Sequence, residues 1–264
     1  SKRELAGAIE KRVRSMGHTI TTSLTTGPGD ATRLAKKAVD GGFDAVLACG
    51  GDGTVNEIAT ALIGTDVVLG ILPNGSGNGL ARHIDIPTDP ILALKIIKNG
   101  KITDCDYCTV NEIPFFCTFG LGFDAAVSHR FASGRKRGLL AYLKSALNEF
   151  ISFTPESYRI TISNDSINVD AFIVACCNAS QYGNNAYIAP TASITDGLLD
   201  ITIVHAGTPL DTAMVGVDLF TGYINRNTMI NTFRTPSAVI YRTGEGPAHL
   251  DGDPVTMDDI MTVK

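Results

Sequence analysis

Two patterns of apolar and polar residues divide the chain near residue 105. Before that point, amphipathic runs with helical spacing alternate with short runs that are typical of strands. The predicted helices cover residues 2–16, 30–39, 55–63 and 90–98, and the predicted strands cover residues 18–24, 44–48 and 67–72. Strands that alternate with helices of this length predict a parallel sheet with helices on its faces.

After residue 105, strand-like runs dominate. The predicted strands cover residues 113–119, 158–163, 167–177, 199–204, 237–241 and 257–264, and the predicted helices cover residues 139–150 and 208–221. Many short strands joined by turns are typical of an antiparallel sandwich. We therefore expect an α/β domain at residues 1–105 and a β-rich sandwich domain at residues 106–264.

A glycine-rich turn separates the predicted strand 44–48 from the predicted helix 55–63. Residues 50–57 read Gly-Gly-Asp-Gly-Thr-Val-Asn-Glu. Glycine lets the backbone bend sharply and approach a ligand, and the first amides of the next helix lack intrahelical partners, so such a turn can hold phosphate. The carboxylate of Asp52 would repel a bare phosphate, which predicts a divalent cation between them.

A second turn of the same kind follows the next predicted strand. Residues 73–79 read Pro-Asn-Gly-Ser-Gly-Asn-Gly. Because both turns stand at the carboxyl ends of predicted parallel strands, we expect them to face one crevice of an open α/β sheet. A tight connection without a ligand needs one or two glycines, so this density favours a binding site.

The two motifs together resemble the diacylglycerol kinase catalytic-domain superfamily, which includes bacterial lipid kinases and sphingosine kinases. Leu-Asp-Gly-Asp-Pro at residues 250–254 is close to the family's Asp-Gly-Glu element, and residues 196–201, Asp-Gly-Leu-Leu-Asp-Ile, fit a further one. The resemblance implies a Rossmann-like N-terminal domain and a sandwich C-terminal domain. It also implies a kinase that uses ATP and Mg²⁺ to phosphorylate a lipid hydroxyl, of diacylglycerol or a sphingoid-like lipid, in the cleft between the domains.

The resemblance implies a nucleotide site formed by both glycine turns and the segment before the second predicted helix. Its residues would be Thr25, Gly51, Asp52, Gly53, Thr54, Val55, Asn56, Glu57, Ser76 and Asn78. Two of them have ordinary alternatives. Glu57 could compensate the dipole of a helix N-terminus, and Thr25 could be a threonine at the end of a strand.

The same resemblance makes Asp253 the candidate catalytic base. The family usually carries Glu there, and Asp is one methylene shorter, so its carboxylate must lie closer to the lipid hydroxyl to reach the proton. The run Asp-Gly-Asp-Pro at residues 251–254 is also a good turn sequence, and the two interpretations are compatible.

Two magnesium sites are implied by resemblance. Asp52, which is also counted as catalytic, and Asp106 would belong to the network of the catalytic Mg²⁺, although the family often has a further Asp where this chain has Gly79. Asp106 could instead be an exposed residue before a strand. A structural Mg²⁺ would be held by one carboxylate and two backbone carbonyls, those of Asp196, Leu199 and Ile201. The alternative for this segment is a turn into a strand.

Composition narrows the class of protein. The chain has 264 residues, 44% of them hydrophobic, and a net charge of −5, which argues against binding to nucleic acid. Without a leader or a run that could span a bilayer, we expect a cytoplasmic protein that meets lipid peripherally. A basic cluster beside the predicted helix 139–150 is either a solvated face or a membrane contact. It comprises Arg130, Arg135, Lys136, Arg137 and Lys144.

The cysteines, the start of the chain and the resemblance to bacterial family members add one expectation each. The six cysteines are predicted to be reduced core residues, because Cys105 and Cys108 lack the second pair that a zinc site needs. Family members usually open with a further strand, and this chain begins in the helix that would follow, so we expect a truncated N-terminal domain. Bacterial members also suggest a homodimer.

Two other functions stay open. NAD kinases also carry Gly-Gly-Asp-Gly-Thr, but their Asn-Glu pair lies far downstream, so the adjacent Val55-Asn56-Glu57 favours the lipid kinases. A nucleotide-binding protein without turnover is the second alternative, motivated by Gly79 and Asp253. Residues 120–125 fit a dinucleotide-binding fingerprint in form, but no βαβ unit is predicted around them.

Overall fold

In the N-terminal part of the molecule, a helix separates two strands, as predicted, and further helices precede and follow them. The computed structural model describes residues 2–133, 150 and 153–264, which fall into two compact units, Ser1–Thr103 and Asp104–Lys264. The helices of the first unit are α1 (Lys2–Ser15), α2 (Asp30–Asp40), α3 (Asp52–Leu62), α4 (Gly79–His83) and α5 (Pro90–Asn99), and its strands are β1 (Ala45–Gly50) and β2 (Val68–Pro73).

The two strands of the first unit run in parallel and end together. Ala45 lies opposite Val68 and Gly50 lies opposite Pro73, so both glycine-rich turns begin at one edge of the sheet. The apolar cluster beside the sheet joins α1, β2 and α5 through Ile9, Val13, Leu72, Ala93 and Leu94. The α/β class predicted for this part of the chain is confirmed.

The strand predicted at residues 18–24 is wrong. This segment is irregular, and most of its side chains are exposed. Its threonines alternate as a strand would, but a strand is stable only when a neighbour takes up its backbone hydrogen bonds. The structure gives residues 18–24 no such neighbour among the described residues. Ile20 packs against the first unit's core, while Leu24 is 45% exposed.

The second unit is dominated by antiparallel strands. They are β3 (Cys108–Val110), β4 (Ile113–Phe115), β5 (Thr118–Gly122), β6 (Glu156–Ile162), β7 (Asp165–Cys177), β8 (Leu199–His205), β9 (Ile230–Thr235), β10 (Ala238–Tyr241), β11 (Gly246–Leu250), β12 (Asp253–Met257) and β13 (Ile260–Val263). Among the residues that the structure describes here, two α-helices accompany them, α6 (Phe123–Ser133) and α7 (Pro209–Thr221). The predicted β-rich C-terminal class is confirmed.

Strand β7 organises the sheet of the second unit. Its first half pairs with β6, and its second half lies between β5 and β8. From β5 the sheet continues through β11 to β12, so these two strands form an edge hairpin. Buried residues on the inner faces, such as Phe119, Val174, Ile201 and Ile240, form the core.

Several predicted boundaries in the second unit differ from the structure. The run 113–119 is broken at Phe116 and Cys117, and the run 257–264 is divided by a turn at residues 258–259. Strands β9, β11 and β12 were not predicted, because β9 is largely polar and the hairpin contains Gly246, Pro247 and Pro254, which have low strand propensity. The predicted helix 139–150, except for residue 150, lies outside the described residues, as do residues 135–137 and 144 of the basic cluster.

The cysteines are free thiols, but they do not all lie in the core. Cys108, Cys117 and the pair at 176–177 are buried, whereas Cys49 and Cys105 are exposed, so the prediction is wrong for these two. Burial raises the pKa of Cys108 to about 12, which makes it a poor metal ligand or nucleophile. In the part of the chain that the structure describes, no helix combines the length and apolarity needed to cross a bilayer.

Candidate functional site

The two glycine-rich turns of the first unit pack directly against each other. A Cβ atom on Gly51 would lie 3.2 Å from the Cα of Gly75, and one on Gly75 would overlap Gly51. The amide of Asn74 donates to the carbonyl of Gly50 across the same contact, at 2.8 Å. Both turns therefore need glycine because the two backbones touch.

Asp52 binds the second turn from the start of α3. Its Oδ2 accepts the backbone amide of Asn78 at 2.8 Å, and its Oδ1 accepts that of Gly79 at 2.6 Å. Asn78 is buried with a φ of 56°, and its side chain hydrogen-bonds the backbone N–H and C=O of Gly75. The carboxylate thus satisfies amides at the start of α4 and fixes the spacing between the two turns.

The first turn of α3 is a second source of backbone donors. The first intrahelical hydrogen bond runs from the amide of Val55 to the carbonyl of Gly51, at 3.1 Å. The amides of Gly53 and Thr54 come before it, where a helix leaves its N–H groups without intrahelical partners. The side chain of Val55 is buried, so its predicted place at the nucleotide would be a backbone one.

Glu57 caps a different helix from the one that carries it. Its Oε1 accepts the amide of Gly29 at 3.0 Å, and its Oε2 accepts those of Ala31 and Thr32 at 3.0 and 3.3 Å. The hydroxyl of Thr32 donates back to the Glu57 carbonyl at 3.2 Å. The N-terminus of α2 thus receives its acceptor from the α3 helix, and the negative charge also favours that end of the helix dipole.

Asp30, at the start of α2, does not cap its helix. Gly29 holds the cap position with a φ of 82°, and the Asp30 carboxylate instead accepts the hydroxyl and amide of Thr26 and a bond from Arg33. The Thr26 bonds, together with Arg33, hold the pKa of Asp30 well below its usual range. Thr25 adjoins this loop and is half-buried.

The remaining nucleotide-site candidates lie on the two turns. The side chain of Thr54 packs against Gly50, since a Cβ atom added to Gly50 would lie 2.6 Å from the Thr54 hydroxyl oxygen. Asn56 is half-buried on α3, and Ser76 is exposed on the second turn. The structure therefore brings the glycines, Asp52, Thr54, Ser76 and Asn78 together at the edge where β1 and β2 end.

Asp253 begins the second strand of the β11–β12 hairpin and is exposed. The turn before it has φ values of 50° at Asp251 and 88° at Gly252, and positive φ at both central residues is what a type I′ hairpin requires. The predicted turn is confirmed. The role of Asp253 as a base stays a prediction.

Asp251 anchors this hairpin turn. Its carboxylate accepts three consecutive backbone amides, those of Phe116, Cys117 and Thr118, at 2.9, 2.7 and 3.0 Å. Its own amide donates to the Thr118 carbonyl at 2.8 Å. These bonds explain the break in the predicted strand 113–119, since the amides of residues 116 and 117 are turned toward Asp251.

Asp106 contacts the predicted structural-magnesium segment. Its Oδ2 accepts the amide of Gly197 at 2.7 Å, and its own amide donates to the carbonyl of Ile194 at 2.7 Å. Asp196 accepts the amide of Leu198 at 3.1 Å and lies 3.9 Å from Arg234. The predicted turn into a strand is observed here, with Gly197 at a φ of 69°.

Leu199 and Ile201, whose carbonyls were assigned to the structural Mg²⁺, lie in strand β8. Leu199 pairs with Thr235, and Ile201 lies between Cys176 and Phe233. Within the described ranges, no three His, Cys, Asp or Glu side chains form a group that could hold a metal ion. A Mg²⁺ site built from one carboxylate with waters or backbone carbonyls does not need such a group. Both predicted magnesium sites therefore stay predictions.

A buried polar group that the sequence reasoning missed lies beneath the hairpin. Asp124 is 5% exposed and His249 is 1% exposed, and their side chains are 3.1 Å apart. Tyr182 donates to the same carboxylate at 2.6 Å. Gly120 makes room for the group, since a Cβ atom there would overlap both partners. The Gly120-x-Gly122 run thus has a packing role, and an acidic residue just after an apolar strand was the available signal.

We expect Glu57→Gln to lower the free energy of unfolding by about 1–3 kcal/mol, because an amide cannot accept all three N–H groups of α2. Urea unfolding measures the loss, and hydrogen exchange should accelerate at residues 29, 31 and 32. Glu10→Gln on α1 is the matched control. Equal stability of the two variants would contradict the capping role.

Asp251→Asn should cost a similar amount, about 1–3 kcal/mol, because the Asn amide group would face one of the amides of residues 116–118. Asn tolerates the positive φ of this position, so the loss isolates the hydrogen bonds. Thermal unfolding against Asp258→Asn, an exposed aspartate in the next turn, makes the comparison. A wild-type melting temperature for Asp251→Asn would show that the three bonds do not matter.

Comparisons with known proteins agree with this architecture. Residues 1–110 match the family described as the diacylglycerol kinase catalytic domain, and residues 118–260 match the YegS C-terminal NAD kinase beta sandwich-like domain. A solved diacylglycerol kinase from Bacillus anthracis strain Sterne has the same fold, with a TM-score of 0.68 at 20% identity over 91% of this chain and 79% of that one.

Two curated relatives match this chain along most of their own length. The "Probable lipid kinase YegS-like" of Chromohalobacter salexigens is 31% identical over 249 residues, which are 92% of this chain and 80% of the relative. The protein of the same name from Pectobacterium atrosepticum is 31% identical over 260 residues, which are 96% of this chain and 85% of the relative. The chain therefore belongs to the diacylglycerol kinase catalytic-domain superfamily, with a C-terminal domain of the YegS type.

Proposed function

We propose that the protein is a lipid kinase that transfers the γ-phosphate of ATP to a lipid hydroxyl and requires Mg²⁺. The observation that carries the proposal is the pair of glycine turns in contact, joined by Asp52, in a chain of this family. In the reaction the hydroxyl oxygen forms a bond to the γ-phosphorus, the bond to the β-phosphate oxygen breaks, and ADP and the hydroxyl proton are released.

The phosphates of ATP would bind at the first turn of α3. The amides of Gly53 and Thr54 precede the first intrahelical hydrogen bond, where the start of a helix offers N–H groups to an anion. The contact between Gly51 and Gly75 holds the second turn beside these amides. Ser76 and the Thr54 hydroxyl add polar groups beside the turns. Glu57 supports the site indirectly, through α2, since its carboxylate is engaged there.

Asp52 fits a magnesium role with one restriction. Its carboxylate lies between the two glycine turns, where it accepts the amides of Asn78 and Gly79, so a hydrated Mg²⁺ bound to phosphates at these turns would meet a negative charge there. Mg²⁺ keeps several waters and takes few protein carboxylates, and when bound it would neutralise charge on the phosphates. Because Asp52 also holds Asn78 and Gly79, removing the metal is a cleaner test than replacing the residue.

Asp253 would take the proton of the acceptor hydroxyl. Its exposure at the start of β12 leaves the carboxylate accessible, and Asp251 beside it is engaged with the backbone. Asp251 therefore holds the hairpin, and Asp253 is the exposed acid of the turn. A general base of this kind contributes about 10²–10⁴-fold to the rate.

The class of acceptor rests on the relatives, which are named as lipid kinases. The proposed acceptor is diacylglycerol or a sphingoid-like lipid. The protein would be cytoplasmic, would contact the membrane peripherally and would form a homodimer. The description of the C-terminal family as NAD kinase-like keeps NAD as the second acceptor to be assayed.

Phosphate transfer from γ-labelled ATP tests the proposal directly. We expect label on one lipid of a panel of diacylglycerol, a sphingoid base and ceramide in mixed micelles, and loss of that label when EDTA removes Mg²⁺. NAD is assayed in parallel. Label on NAD alone would favour an NAD kinase, and no labelled product with ATP still bound would favour a nucleotide-binding protein without turnover.

Asp253→Asn should lower kcat by about 10²–10⁴-fold while ATP binding persists, because it removes the carboxylate that accepts the proton. Asp253→Glu, which restores the residue usual in the family, is the matched control and should retain most of the activity. If Asp253→Asn turned over like the wild type, another group would have to be the base.

A further inference from the structure

The buried pair Asp124–His249 is connected to the turn that presents Asp253. The amide of Gly252 donates to Nδ1 of His249 at 3.3 Å, and the Nε2 of the same ring lies 3.1 Å from Oδ2 of Asp124. A chain of hydrogen bonds therefore runs from the carboxylate on α6 through the imidazole to the residue next to Asp253 in the sequence.

The direction of these bonds assigns the tautomer of His249. An amide N–H can only donate, so Nδ1 must accept, and the ring proton of a neutral imidazole then lies on Nε2 and is donated to Asp124. A proton on Nδ1 would face the N–H of Gly252. The bond to the turn therefore requires one tautomer, and the carboxylate selects it.

Asp124 is held in an orientation suited to this selection. Its Oδ1 accepts the amide of Ala125 at 2.8 Å, and its Oδ2 accepts the hydroxyl of Tyr182 at 2.6 Å in addition to the His249 proton. A buried carboxylate is costly unless such bonds compensate for its lost hydration. Both oxygens of Asp124 therefore accept hydrogen bonds, and each bond restricts the rotation of the carboxylate.

Helix α6 also contacts the β11–β12 hairpin through a second residue. His129, five residues after Asp124 on the helix, has its Nε2 3.2 Å from the carbonyl of Ala248 on β11 and 2.9 Å from that of Val255 on β12. An N–H at this nitrogen bridges both strands of the hairpin. With Asp251 fastened to residues 116–118, the turn is fixed from three directions.

We propose that Asp124 and His249 are positioning residues for the phosphotransfer, which fix the Asp251–Gly252 turn so that Asp253 meets the acceptor hydroxyl. The inference rests on the proposed function. The two side chains act through the Gly252 amide and not by contact with ATP or lipid. A base displaced by about 1 Å can lose about 100-fold in rate, so a bond that orients the turn affects kcat.

Two replacements of His249 separate its two contacts. In His249→Gln the terminal amide takes the place of Nε2 and can bind Asp124, but the acceptor for Gly252 is lost. In His249→Asn the amide oxygen takes the place of Nδ1 and keeps the bond to Gly252, while the contact with Asp124 is lost. His205→Gln, in strand β8 of the same unit, controls for a histidine replacement as such.

We expect His249→Gln to lower kcat about 10- to 100-fold with the KM for ATP unchanged, and His249→Asn to lose less. Nuclear magnetic resonance of glycine-labelled protein should show the Gly252 amide shifted in His249→Gln and near its wild-type position in His249→Asn. A merely structural role would lower the melting temperature of both variants without this order in kcat.

An unchanged Gly252 resonance in His249→Gln, or equal kcat values for all three variants, would overturn the proposal. If His249→Gln does not fold, the tautomer is read from the imidazole nitrogens of the wild-type protein, and a proton on Nδ1 would overturn it. Wild-type protein that phosphorylates no lipid would refute the proposed function instead, and the Gly252 resonance would still decide whether His249 holds the turn.

Discussion

Backbone amides at turns and helix starts, where no helix or strand can use them, determine the arrangement of this molecule. Such a group costs about 1–3 kcal/mol when it is buried without an acceptor. At several such places in the described part of the chain, a carboxylate from another segment supplies the acceptor. Asp52 serves the second glycine turn, Glu57 the start of α2, Asp106 the amide of Gly197, and Asp251 the amides of residues 116–118. The acids of the family motifs are therefore also connections between segments distant in sequence.

Single helices and strands could be predicted from the sequence, but the hydrogen bonds between segments distant in sequence could not. Apolar runs and glycine density identify β1, α3 and β2 because these elements depend on neighbouring residues. The contact of Glu57 with residues 29–32 depends on how two helices pack, and no spacing rule encodes it. Propensity also misjudged residues 18–24, where threonines alternate without a strand partner, and β11, where Gly246 and Pro247 stand in a strand fixed by its neighbours.

The hairpin at residues 246–257 shows how one short motif divides its tasks. Asp251 and Gly252 adopt the positive φ values of a tight turn, Asp251 fastens that turn to residues 116–118, and Asp253 begins the outgoing strand. Because side chains alternate along a strand, the register of Leu250 opposite Asp253 determines which way the acid points. A sequence pattern can identify Asp253, but the direction of its side chain depends on the pairing of β11 with β12 and on the hydrogen bonds that hold the turn.

The capping of α2 by Glu57 also has a consequence for how the first unit opens. The start of α2 cannot unfold locally without breaking its bonds to the side chain and carbonyl of a residue in the second turn of α3. Segments joined in this way open as one cooperative unit. A ligand bound at the first turn of α3 would therefore slow the opening of α2. Although α2 carries none of the glycine motif, its stability would show whether the motif is occupied.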